Sequence, residues 1–130
     1  MLTLRRRSRI VLSAALFVSA FLASSAHAQP VAEFYAGKTI SIYVGYSPGG
    51  AYDYYARLFA RHIGKYIPGH PQVVIQNMPG AGSLRAANYL YNVAPKDGTA
   101  LGVVTQTIML EEAFGTPGVK YRAADFGYIG

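Results

Sequence analysis

Residues 39–51, Thr39-Ile40-Ser41-Ile42-Tyr43-Val44-Gly45-Tyr46-Ser47-Pro48-Gly49-Gly50-Ala51, run from a β-branched and almost unbroken apolar stretch into a Pro-Gly cluster, after which a helical pattern begins. The same succession returns at Val73-Val74-Ile75-Gln76-Asn77 followed by Met78-Pro79-Gly80-Ala81-Gly82-Ser83. A run that is apolar at nearly every position, with Ser41 as the exception, suits a strand covered on both faces, as in a parallel sheet. Each Pro-Gly corner then opens a helix, where backbone N–H groups lack intrahelical acceptors and the helix dipole favours negative charge. Two such corners on neighbouring strands can grip one small anion.

Between the corners, residues 52–66 carry Tyr55, Phe59, Ile63 and Tyr66 at helical spacing, widened by Ala56 and Leu58, which predicts an amphipathic helix on that stripe. Arg57, Arg61 and Lys65 form its solvated back, and Asp53 suits the dipole of the first turn and can pair with Arg57. Pro68-Gly69-His70-Pro71 ends the helix, and residues 72–76 form the second strand. The next helix places Leu84, Ala87, Leu90 and Tyr91 on one face. Ala94-Pro95-Lys96-Asp97-Gly98-Thr99 is a turn, residues 100–105 a third strand, and residues 108–114 a third short helix. The fold class is therefore α/β, an open parallel sheet with flanking helices, whose ligands bind beyond the carboxyl ends of the strands. Residues 125–130 read as the start of another strand, so the chain is expected to stop mid-fold.

The front of the chain is of a different kind. Arg5, Arg6, Arg7 and Arg9 precede an apolar run from Ile10 to Ala23, and Ala26-His27-Ala28 supplies a small-Xaa-small cleavage pattern. Residues 1–28 are expected to be an export signal cut after Ala28, because the run is interrupted by Ser13 and Ser19 and is shorter than the ~20 apolar residues of a spanning helix. The twin-arginine pattern lacks its hydrophobic follow-on, since Ser8 and Arg9 stand there, which favours the ordinary secretory route. Residues 29–130 then form a partial α/β lobe. Removing the leader leaves 8 of the 12 basic residues against 6 acids, so the net charge falls from +6 to about +2. No basic stripe remains, which argues against nucleic acid as a partner. The chain has no cysteine, which excludes disulfides, thiolate metal sites, a nucleophilic thiol and a lipoprotein anchor.

Other motifs weigh less. Gly45-Tyr46-Ser47-Pro48-Gly49 matches the GxSxG elbow of α/β hydrolases, so a secreted hydrolase using Ser47 is the alternative from another class. That chemistry takes an oxyanion-hole bond from the residue after the serine, and Pro48 has no N–H to give. Gly37-Lys38-Thr39 precedes a strand where a phosphate loop follows one, and neither corner matches GxGxxG, so no nucleotide cofactor is expected. His62 and His70 with Glu111 and Glu112 fit no metal spacing. Tyr46 and Tyr52 flank the first corner and are expected to wall a pocket.

The segments Gly45-Tyr46-Ser47-Pro48-Gly49-Gly50-Ala51-Tyr52-Asp53, Gln76-Asn77-Met78-Pro79-Gly80-Ala81-Gly82 and Ala94-Pro95-Lys96-Asp97-Gly98-Thr99, in that order, resemble the Bug family. These are the substrate-binding proteins of tripartite tricarboxylate transporters, and the similarity runs from about Lys38 to the end. The resemblance implies a periplasmic receptor, not an enzyme, whose two α/β lobes close on a small carboxylate and deliver it to membrane permease subunits. This chain would be the first part of the N-terminal lobe. It further implies that Ser47, Gly49, Gly50 and Ala51, with Gly80, Ala81, Gly82 and Ser83, hold the carboxylate through backbone N–H groups and ordered waters. Thr105, Gln106 and Thr107 occupy the place of a further hydroxyl or amide. Where the family often has another glycine, this chain has Ser83, and family members are considerably longer. A truncated product without function is a third reading.

Overall fold

The computed structural model describes residues 30–129; the expected leader lies outside the described residues. A short helix α1 (Val31–Tyr35) precedes β1 (Thr39–Val44), α2 (Ala51–Ile63) and β2 (Gln72–Asn77). A 3-10 turn at Ala81–Ser83 opens α3 (Leu84–Asn92), followed by β3 (Ala100–Val103), α4 (Ile108–Ala113) and a second 3-10 turn at Ala123–Asp125. The three strands form one parallel sheet in the order β2-β1-β3. With β1 central, its core-facing residues are the most buried of the sheet; Ile40, Ile42 and Val44 are almost wholly enclosed. The expected open parallel α/β sheet is what forms.

Alternation along β1 sets the layers. Ile42 and Val44 pack with Ala56 of α2 and with Val73, Ile75, Leu101 and Val103 of the outer strands. Tyr43 points the other way and meets Tyr89 of α3, their hydroxyls 3.3 Å apart, so the two helices cover opposite faces. On the α3 side a second cluster gathers Ala87, Ile108, Tyr121 and Ala123, joined by Leu84, Tyr91, Val119 and Phe126. Leu84, Ala87, Leu90 and Tyr91 all lie inward or half-inward, as their spacing predicts.

Two expectations are corrected. The stripe Tyr55, Phe59 and Tyr66 is not the packed face of α2: these side chains are 67%, 43% and 80% exposed. The helix instead buries Asp53 and Ala56, with Ala60 and Ile63 half-buried behind them. Small residues let the helix settle close to the sheet, and a carboxylate can join that face because it finds partners there. Secondly, residues 125–129 do not begin a strand. Phe126 packs its ring near those of Tyr91 and Tyr121, at 5.9 and 5.7 Å, and Tyr128 donates its hydroxyl to the Ala123 carbonyl, so the segment folds over the α3–α4 cluster.

Candidate functional site at the carboxyl end of the sheet

Because all three strands are parallel, the loops after β1, β2 and β3 emerge at the same end, and β1 and β2 finish level, Val44 opposite Asn77. The two Pro-Gly corners therefore stand side by side, with the loop holding Thr105 on the far side of β1.

The first corner ends at Gly50, which caps α2 in an extended conformation and brings no side chain to the helix start. Among the described residues the N–H groups of Ala51 and Tyr52 meet no protein acceptor, while that of Gly50 closes the turn begun by the Ser47 carbonyl. Gly49 differs from them: its N–H donates to Asp53 Oδ2 at 2.9 Å. Asp53 is 3% exposed and is the hub of this corner. Arg57 Nε donates to the same oxygen at 2.9 Å, and Asn77 Nδ2 donates to Asp53 Oδ1 at 2.8 Å and to the Tyr46 carbonyl at 3.0 Å. Arg57 also donates to Asn77 Oδ1 at 3.1 Å, closing a ring that fastens the first corner to the end of β2. The bond from Arg57, then those from the Gly49 N–H and Asn77, hold the Asp53 carboxyl far below the usual carboxylate range.

The second corner is held by its backbone. Gly80, Ala81, Gly82 and Ser83 all have positive φ, at 143°, 46°, 59° and 75°. Two of them carry a Cβ, a conformation that costs on the order of 1–3 kcal/mol per residue unless the surroundings enforce it. The carbonyls of Ala81 and Gly80 accept from the N–H groups of Leu84 and Arg85, while the N–H groups of Ala81 and Gly82 find no protein acceptor among the described residues. Ser83 is completely buried; its Oγ donates to the Gly45 carbonyl at 3.4 Å and accepts from the Thr105 N–H at 3.3 Å. Gly45 makes room for it, since a Cβ there would stand 2.9 Å from the Ser83 Cα and collide with its side chain.

Tyr46 and Tyr52 stack with ring centroids 4.3 Å apart and 9° between planes, forming one aromatic wall beside the first corner. The neighbouring Ser83 and then Thr105 draw the Tyr46 phenol below its ordinary value, against the opposing effect of burial. Thr105 Oγ1 lies 3.1 Å from Thr107 Oγ1, and Gln106 is exposed beside them. The structure thus brings every anticipated residue to one end of the sheet, with Gly49 and the Ser83 hydroxyl already engaged internally. Sequence reasoning missed Asn77 as a partner of Asp53; its place as the last residue of a strand before a Gly corner is the available signal.

Ser47 is exposed, and among the described residues no base is hydrogen-bonded to its hydroxyl. A groove of about 690 Å³ runs elsewhere, along the free edge of β3 between Leu101, Val103, Ile108 and Ile129, and reaches the anticipated site only at Thr105 and Gln106. No helix among the described residues is long and apolar enough to cross a membrane.

The two corners thus lie at the carboxyl end of the sheet, the end at which open α/β sheets bind their ligands. The chain is 33% identical over 81 residues to a UPF0065 protein in the gbd 5' region of Cupriavidus necator. That match takes in 62% of this chain and spans 24% of the relative's length. No family model matches the chain, and no solved structure matches it.

Proposed function

We propose that this chain is the first part of the N-terminal lobe of a periplasmic solute receptor that captures a small organic carboxylate for a tripartite tricarboxylate transporter. UPF0065 is the Bug family, so the relative supports a receptor of this general kind. The observation that carries the reading is the pairing of free donors: Ala51 and Tyr52 on one corner, and Ala81 and Gly82 on its neighbour. A carboxylate lying between them gains from both, with Tyr46 and Tyr52 as an apolar wall for its carbon skeleton.

Export as a cleaved precursor and delivery to permease subunits belong to the same proposal, supported by the leader pattern of residues 1–28. Contacts at one helix start contribute ~0.3–1 kcal/mol when exposed and up to ~2 kcal/mol when partly buried. Two corners therefore give at most ~4 kcal/mol, which predicts a Kd no tighter than about millimolar without a facing lobe, tightening when a second lobe closes over the ligand.

The test is a thermal-shift titration with acetate, succinate and citrate. At about ten times Kd, binding stabilises the folded chain by roughly 1.4 kcal/mol. Ala51→Pro, at the first position of α2 where the fixed φ of proline fits, deletes one free N–H and should weaken the response, and melting temperatures that do not move with any of the three acids would remove the receptor reading.

A further inference from the structure

We propose that Ser83 is a positioning residue, whose hydroxyl latches the loops after β1, β2 and β3 into a single arrangement and does not itself touch ligand. Serine at the N-cap of a helix ordinarily turns its oxygen onto the second or third N–H of that helix, from an extended backbone conformation. Ser83 holds the N-cap position of α3 but at φ 75° and ψ −2°, and it makes no such cap. The left-handed conformation aims the side chain backward into the protein, away from the helix it precedes. There the hydroxyl is fully buried and bridges two other loops, the Gly45 carbonyl after β1 and the Thr105 N–H after β3.

Three features fit a latch better than a turn of convenience. Glycine would occupy φ 75° without strain, so the serine is kept against a conformational cost. Gly45 lacks the Cβ that would expel the Ser83 side chain, so the cavity is shaped around the hydroxyl. Tyr46 feels the same group, its phenol held below the ordinary value first by Ser83. One buried oxygen thus joins the first corner through the Gly45 carbonyl and the third loop through the Thr105 N–H. Only the identity of what the loops hold rests on the receptor reading; the latch itself can be tested without ligand.

The experiment compares the full chain with Ser83→Ala, which keeps the strained backbone, and Ser83→Gly, which relieves it. Both should speed hydrogen exchange at the Thr105 N–H about fivefold, the size of one lost hydrogen bond. Both should also shift the Tyr46 phenol titration, followed by ring-carbon NMR, upward toward the ordinary tyrosine value. Glycine should recover stability relative to alanine without restoring either signal. Parent-like exchange and titration in both variants would overturn the latch. So would parent-like behaviour of the glycine variant alone, which would assign the effect to backbone strain. A parent chain that ignores acetate, succinate and citrate while both signals respond would remove the receptor reading and leave the latch standing.

Discussion

The two Pro-Gly corners look alike in composition but are held by opposite means. The corner at Ser47–Ala51 is fixed by a charged network, with Asp53 gathering Gly49, Arg57 and Asn77. The corner at Gly80–Ser83 is fixed by four positive φ angles and one buried hydroxyl, and among the described residues no salt bridge joins it. A charge network depends on pH and on each partner, whereas a strained turn depends on the space around it. The same donor geometry can therefore be lost by quite different perturbations.

The largest effect is expected at Asp53. Asp53→Asn replaces the buried oxygen that accepts from both the Gly49 N–H and Arg57 Nε with an amide that can do so for only one side of the ring, and should lower the melting temperature by on the order of 10 °C. The sign of the pH dependence follows from the depressed folded-state value. Asp53 contributes fully above the unfolded carboxylate value of ~3.9, and the contribution disappears as pH falls from there toward the folded value. The parent should therefore lose stability below about pH 4 more steeply than Asp53→Asn, as melts across that range would show. Gly45→Ala comes next and strikes the other corner, because the new Cβ displaces Ser83; denaturant unfolding should register a loss of about 1–3 kcal/mol that does not vary with pH. Arg57→Ala should cost less than Asp53→Asn in the same melts, since the Gly49 and Asn77 bonds to Asp53 survive it. Ser47→Ala should change stability by no more than ~0.5 kcal/mol, the hydroxyl being exposed. A change in ester hydrolysis with Ser47→Ala would revive the hydrolase alternative.

What was legible in the sequence is local. The strand-corner-helix repeats declare themselves through contiguous residues, and the Asp53–Arg57 pair through i,i+4 spacing. The packed face of α2 was misjudged because periodicity finds a stripe without saying which stripe a sheet accepts. Tyr55 and Phe59 gave the stronger pattern, yet Ala56 and the satisfied Asp53 gave the closer fit. The Asp53–Asn77 bond requires the β1–β2 register, which no local window contains. Ser83 was legible as a departure at a glycine position, but its left-handed backbone, and with it the direction of its hydroxyl, comes from the tertiary setting. The short helix α1 was not foreseen, because Val31-Ala32-Glu33-Phe34-Tyr35 is too brief to display a period.

The central position of β1 bears on how the molecule is made. Both of its neighbours come later in the chain, so Thr39–Val44 emerges from the ribosome before either of the strands it pairs with. Until β2 arrives, an apolar, β-branched and uncharged segment stands bare, the composition that promotes intermolecular sheet growth. Synthesis of this protein thus passes through an interval in which a holding chaperone has a ready binding segment at its centre.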